Sequence, residues 1–256
     1  MIHSTAIIDP SAELGSNVSV GPYSIIGKKV VIEDDCKIGP HVVIDGPTHI
    51  GKETQIFQFA SIGEIPQDKK YKGEETHLEI GARNVIREGC TFNRGTIQDK
   101  TVTRIGDDNW IMAYVHIAHD CEIGNNTTLA NNVALAGHVT IGDYATLGGF
   151  TLVHQYCHVG AHSFTAMGSA VSKDVPPFVM AQGNLAKPHG LNTEGLKRRG
   201  LSSEEINQIK KAYKILYRSG LTLEQAKDEL QELADNSSHI AMILKFLNNV
   251  TRGVIR

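Results

Sequence analysis

Residues 105–152 read IGDDNW-IMAYVH-IAHDCE-IGNNTT-LANNVA-LAGHVT-IGDYAT-LGGFTL, eight hexads that each open on an aliphatic side chain. The register continues downstream through Val153, Val159, Thr165 and Val171. Upstream it is carried by Ile2, Ile8, Leu14, Val20, Ile26, Ile32, Ile38, Ile44, Ile50, Ile56 and Ile62, and again by Ile80, Ile86 and Phe92. Of 26 such slots, 25 are apolar. A period this strict is the signature of a hexapeptide-repeat β-helix. Each hexad supplies a short strand and a turn, and three hexads close a triangular coil. Residues 18 apart in the sequence then stack at about the 4.7–4.9 Å spacing of neighbouring strands.

With the aliphatic residue as position 1, position 5 is a second, small inward slot. All four cysteines, Cys36, Cys90, Cys121 and Cys157, fall there. A free cysteine in such a slot behaves as a small hydrophobe, so buried thiols are expected rather than disulfides or metal ligands. That usage suits a reducing compartment. The net charge of −3 argues against a nucleic-acid binder, which normally carries a basic footprint. No apolar stretch approaches the roughly 18 residues of a membrane helix. The repeat starts at Ile2, which leaves no room for a signal peptide. A cytoplasmic protein without a membrane span is expected.

Two breaks interrupt the register. The segment 64–77 contains Pro66, and places Asp68 and Glu74 in slots that should be aliphatic, so it must leave the prism as a loop. The segment 95–102 shifts the phase by one residue and is a true insertion. Long loops on a rigid scaffold often carry function, but tolerated insertions look the same in sequence. The hexads end near Val175-Pro176-Pro177. From Leu191 the apolar period becomes helical, with a capping-box pattern at Ser202 and Glu205, a second start at Thr222 with Gln225, and a last one at Ser237 or Ser238. Two domains follow: a β-helix over 1–190 with its two loops, and a helical domain over 191–256 that could cap the open end.

Filled positions 1 and 5 leave no pocket inside the prism, so any site lies on the outer face, in a loop or between subunits. Half of the twelve histidines, His116, His119, His138, His154, His158 and His162, fall within 47 residues and outside the inward slots. Stacking selects among them. Asp120 lies 18 residues before His138, and His119 lies 18 before Gly137, so these four residues form one patch on adjacent coils. A histidine beside a carboxylate suits a general base. A glycine leaves a backbone N–H unobstructed, as an oxyanion donor requires.

The segments Ile117-Ala118-His119-Asp120-Cys121, Leu129-Ala130-Asn131-Asn132, Leu135-Ala136-Gly137-His138-Val139 and Val153-His154-Gln155 resemble the bacterial UDP-N-acetylglucosamine 3-O-acyltransferases. So do Gln58-Phe59-Ala60-Ser61-Ile62-Gly63-Glu64, Ile86-Arg87-Glu88, Asn93-Arg94-Gly95-Thr96, Glu194-Gly195-Leu196-Lys197-Arg198-Arg199-Gly200 and Thr251-Arg252-Gly253. The resemblance covers essentially the whole chain. It implies a left-handed β-helix, a homotrimer with active sites between subunits, and no cofactor or metal. It also implies the reaction: transfer of an (R)-3-hydroxyacyl group from acyl carrier protein to the 3-hydroxyl of UDP-N-acetylglucosamine, the first acylation of lipid A synthesis.

Carried over by motif, His119 is the general base, Asp120 orients it, and the Gly137 N–H holds the thioester oxyanion. Gln67, Asp68 and Lys70 resemble residues that contact the sugar substrate. His116, His138, His154 and Gln155 line the same cleft. Asn192, Glu194, Arg198 and Arg199 resemble the nucleotide and diphosphate end, where the planar arginine fork suits phosphate. Lys210, Lys211, Lys214 and Arg218 could receive the acidic carrier protein. Asn93 stands where the family commonly has histidine. Met167 falls where some members have glycine, at the far end of the acyl groove, which implies a medium-length donor of about ten carbons. Competing readings are a related N-acyltransferase, a zinc-dependent carbonic anhydrase of the same fold using His116 and His119, and a non-enzymatic assembly module.

Overall fold

The computed structural model describes residues 1–250 and 252–256. Thr251, part of the last motif quoted above, lies outside the described residues. Short strands, most of two residues, line up in three sheets of nine, eight and ten strands. All pairings are parallel except one at the C-terminal end. The sheets form the walls of a left-handed parallel β-helix. Coils stack in the expected register: Ile117 pairs with Leu135, and Leu135 with Val153. At the first loop the partner of Ile62 is Phe92, 30 residues on, so two hexads' length is looped out and the phase survives. At the second, Phe92 pairs with Ile117, 25 residues on, which produces the one-residue slip.

The aliphatic column is the core. Ile26, Ile44, Ile62, Phe92, Ile117 and Leu135 stack within it, all buried. The four cysteines are buried beside it and free. Position 5 is not uniformly small and apolar, however. At one corner it holds Thr54, Asn84, Asn109, Thr127 and Ser163, all buried. Asn84 donates through Nδ2 to the carbonyls of Gly81 and Gly106, both at 2.8 Å, and accepts from the Asn109 N–H at 2.9 Å. Asn109 in turn accepts from the N–H and hydroxyl of Thr127. A buried amide is tolerated here because it ties successive turns together.

Position 4 is left-handed in coil after coil, including Asn17, Arg83, Asp120, His138, Tyr156 and His162. Asn and Asp visit this region readily, but aromatic residues and Arg do so uncommonly. Here the strand bonds on both sides impose the turn, and the side chain is thrown outward at the corner. Residues 18 apart therefore stack: Tyr144 on His162 at 4.8 Å, and His162 on Phe178 at 5.4 Å.

The stretch 178–190, which the periodicity leaves irregular, contains an antiparallel pairing of Val179–Gln182 with Lys187–Leu191. Leu191, where a helical period was expected to begin, is thus the last residue of a strand. Helix α1 spans Thr193–Arg198, α2 Ser203–Arg218, α3 Leu223–Ala234 and α4 Ser238–Asn248. Both expected capping boxes form, at Ser202/Glu205 and Thr222/Gln225. Gly220, at φ 70°, follows the end of α2. The helices bury Leu196, Ile206, Ile209, Leu216, Leu230, Ile240 and Leu247 in a second core that includes Phe178. The chain end returns to the prism, where Asp174 donates to Gly253 O at 2.8 Å and Ile255 enters the aliphatic column.

Candidate active site

His119 and Asp120 sit on the turn after the strand His116–Ile117. The left-handed backbone of Asp120, at φ 59°, turns its carboxylate inward beside the histidine. Its side chain is 0% exposed. A buried charge needs partners, and this one has three: His119 Nδ1 at 2.8 Å, the Thr96 N–H at 2.9 Å and the Thr96 hydroxyl at 2.6 Å. The Asp120 N–H donates to Thr103 Oγ1 at 2.8 Å. Burial alone would raise the Asp120 carboxyl, but the hydrogen bonds from His119 and Thr96 outweigh it and hold the group below its ordinary range. An ionised Asp120 accepts only, so Nδ1 of His119 carries the proton and Nε2 is the free pole.

Gly137 lies under that imidazole. A Cβ built there would come within 2.6 Å of Cε1 and 2.7 Å of Nε2 of His119. At the equivalent position of neighbouring coils the N–H is claimed by a side chain one coil on: Asp107 donates to Asn125 Oδ1, and Asn125 to Asp143 Oδ1, each at 2.7 Å. Gln155 stands one coil beyond Gly137, and among the described residues the Gly137 N–H makes no hydrogen bond to the protein. It is available to a ligand.

His138 completes the patch. Its ring meets His119 edge-on at 5.1 Å and stacks on Tyr156 at 4.3 Å. Its Nδ1 bonds Asp99 Oδ2 at 2.7 Å and lies 3.9 Å from Asp120 Oδ2. His119, Asp120 and His138 also have the proximity of a metal-binding trio. Their inner atoms are already committed to one another, to Thr96 and to Asp99, which is the arrangement of a hydrogen-bonded relay. The pairing of His116 with His119 for zinc does not form: His116 Nδ1 bonds Thr91 Oγ1 at 2.8 Å, and burial pushes the imidazole below its usual range.

The other expected site residues are dispersed over the single chain. Gln67, Asp68 and Lys70 lie on the loop after Glu64, where Asp68 accepts from the Lys70 N–H. No contact of theirs with His119 occurs among the described residues. His154 and Gln155 are exposed, and Nη2 of Arg252 lies 3.3 Å from His154 Nδ1. Asn192 caps α1 and donates to His162 O at 3.0 Å. Glu194 pairs with Lys197, Arg198 is exposed, and Arg199 lies over the Tyr144 ring at 4.4 Å. Met167 is 82% exposed. Asn93 is buried and donates to Ile65 O at 2.9 Å, tying down the start of the first loop. Thr96, Asp99 and Thr103 escape the sequence reading, since nothing in their spacing singles them out. The largest groove lies elsewhere, against His49, Glu79, Arg104 and Glu122, and does not include the histidine patch.

Residues 174–255 match the second domain of the UDP-N-acetylglucosamine O-acyltransferases, and residues 103–137 match the bacterial transferase hexapeptide repeat. The chain is 59% identical to the acyl-[acyl-carrier-protein]–UDP-N-acetylglucosamine O-acyltransferase of Herminiimonas arsenicoxydans, covering 100% of this chain and 99% of that protein. Against the enzyme of the same name from Neisseria gonorrhoeae the identity is 56%, over the same shares. The solved UDP-N-acetylglucosamine O-acyltransferase of Moraxella catarrhalis superposes with a TM-score of 0.98 at 48% identity, covering 100% of this chain and 99% of that one. The corresponding Arabidopsis structure gives 0.88 at 35% identity, with both chains fully covered. The chain belongs to the acyl-[acyl-carrier-protein]–UDP-N-acetylglucosamine O-acyltransferase family, and is an O-acyltransferase of the hexapeptide-repeat class.

Proposed function

We propose that this enzyme transfers an (R)-3-hydroxyacyl group from acyl carrier protein to the 3-hydroxyl of UDP-N-acetylglucosamine, with His119 as general base and no covalent intermediate. The observation that carries the mechanism is the buried His119–Asp120 bond, locked from behind by Thr96. It leaves Nε2 of His119 as the proton acceptor. As the sugar oxygen attacks the thioester carbonyl, Nε2 takes the hydroxyl proton. The carbonyl oxygen gains charge beside the Gly137 N–H, and the carrier thiolate leaves and recovers the proton. The sugar oxygen is itself the nucleophile, so no serine or cysteine is needed, and the four cysteines are buried in the core.

The active enzyme is a homotrimer in this reading, with Gln67, Asp68, Lys70, His116, His138, His154 and Gln155 on the sugar side. Asn192, Glu194, Arg198 and Arg199 hold the nucleotide end. Assembly from several chains accounts for the distance between these sets and for the absence of the histidine patch from the main groove of one chain. Lys210, Lys214 and Arg218 line a groove with Tyr213 on α2, and with Lys211 receive the acidic carrier protein. Among the described residues no helix is long and apolar enough to cross a membrane, and four unpaired thiols suit the cytoplasm. The deciding experiment is acyl transfer from hydroxyacyl carrier protein to UDP-N-acetylglucosamine, with His119→Ala alongside. A loss of about 10²–10⁴ in rate is expected, and undiminished turnover would remove the general-base assignment.

A further inference from the structure

The insertion over 94–101 is pinned to the catalytic patch at several points. Thr96 bonds the Asp120 carboxylate through both its N–H and its hydroxyl. Lys100 pairs with Glu122 at 2.7 Å. Thr101 folds back to donate to Thr96 O at 2.9 Å, and its own carbonyl accepts from the His77 N–H. Between these anchors Asp99 reaches 39 residues along the chain to His138. The site therefore holds two His–carboxylate pairs side by side, of different construction. Asp120 is fully buried on the β-helix itself, whereas Asp99 is 36% exposed and belongs to the insertion.

We infer that Asp99 is a positioning residue for the acceptor side of the site. It holds His138 with the proton on Nδ1 and Nε2 free to accept a hydrogen bond from a substrate hydroxyl. Three further groups face that ring: Asp120 at 3.9 Å from Nδ1, His119 edge-on and Tyr156 stacked on its plane. Stacking fixes the plane of the ring but not which nitrogen faces which way. A carboxylate can only accept, so its bond to Nδ1 sets both the flip and the tautomer. Among the described residues Nε2 of His138 has no hydrogen bond within the protein, as for Nε2 of His119. The two free poles belong to rings 5.1 Å apart, close enough to engage two groups of one small acceptor.

This inference rests on the reading that the sugar reacts at His119, so the test separates the two. Asp99→Ala removes the acceptor, Asp99→Asn keeps an acceptor oxygen without charge, and Lys100→Ala loosens the insertion without touching His138. Steady-state kinetics on the full-length enzyme should show the acceptor KM rising about tenfold in Asp99→Ala, the scale of one hydrogen bond. The carrier-protein KM should not move, kcat should stay within about threefold, and Asp99→Asn should recover most of the loss. Nitrogen-15 spectra of histidine-labelled protein, with His138→Gln to assign the signal, should show Nδ1–H at His138 in wild type and in Asp99→Asn, and a mixed tautomer in Asp99→Ala. An unchanged acceptor KM in Asp99→Ala, an equal rise in Lys100→Ala, or an Nε2–H tautomer in wild type overturns the assignment. Failure of the wild-type enzyme to acylate UDP-N-acetylglucosamine would instead sink the functional reading, and the spectra would still decide whether Asp99 orients His138.

Discussion

Gly137 and His119 fit together so closely that no side chain can be added between them: a Cβ on Gly137 would fall 2.6 Å from the imidazole Cε1. The backbone of Gly137 is not in the left-handed region, so alanine is acceptable to the chain and unacceptable only to the ring. His119 cannot swing aside freely because Asp120 holds it. Gly137→Ala should therefore lower kcat by about 10²–10³ through a displaced base and a screened N–H. Its melting temperature should fall by no more than about 2–4 °C. Full activity in this variant would mean that the glycine is there only for coil packing.

Asp120→Asn presents a sharper test of the relay. Three donors converge on the carboxylate, and an amide can accept only through its oxygen. One donor must be lost or met by an N–H. The expected result is a fall in kcat of about 10²–10⁴. Thr96→Val, which deletes only the hydroxyl, should cost less. If single-turnover rates of Asp120→Asn match wild type, orientation by Asp120 is not part of the mechanism.

The ladder of Tyr144, His162 and Phe178 predicts a dependence of stability on pH. Burial, reinforced by the charges of Arg199 and His239, pushes His162 down to about 4, and its Nδ1 is buried without a partner. The unfolded imidazole titrates near 6.5. Above that value neither state binds the proton. Between about 6.5 and about 4 the unfolded chain takes it and the folded chain refuses, so stability falls as pH falls through this window. Phe suits the site, since Phe150 and Phe178 adopt the same left-handed backbone and Phe178 continues the stack. Melting curves of His162→Phe should show a shallower decline from pH 7 to pH 5 than wild type. An identical decline would place the acid sensitivity elsewhere.

Asn109 links two coils inside the prism by accepting from both the N–H and the hydroxyl of Thr127. Asn109→Ala leaves these donors buried and unmatched, at a cost of about 1–3 kcal/mol for a buried polar group. Urea denaturation should give a lower midpoint with an unchanged slope. No change in the midpoint would show that water or a shifted Thr127 replaces the amide.

Met167 projects from the single chain almost fully exposed. If it closes the far end of an acyl groove between subunits, Met167→Gly should move the preferred donor from about ten carbons to longer chains. Each methylene accommodated is worth about 1–3 kcal/mol of discrimination. Competition between hydroxyacyl carrier proteins of different lengths measures this directly. A 14-carbon donor preferred by wild type would overturn the ruler.

The hexad period by itself determined the architecture, because a side chain that recurs every sixth residue can be buried only if the chain coils with that period. It assigned Ile117 and Leu135 to the core, placed the cysteines inside, and put His119 over Gly137 through the 18-residue stacking rule. The resemblance of the non-repeat residues supplied the chemistry that the period could not. Only the tertiary structure decided which groups complete the site. Thr96 and Asp99 lie 24 and 39 residues from the groups they bind, on an insertion with no period to extrapolate. Asn84 and Asn109 occupy a slot that reads as small and apolar, and their satisfaction depends on carbonyls and N–H groups of neighbouring coils. The terminal pairing that ends at Leu191 was hidden for the same reason. A repeat fixes its own stacking because each coil meets the same neighbour, whereas an insertion or an end is placed by whichever partners the finished prism offers.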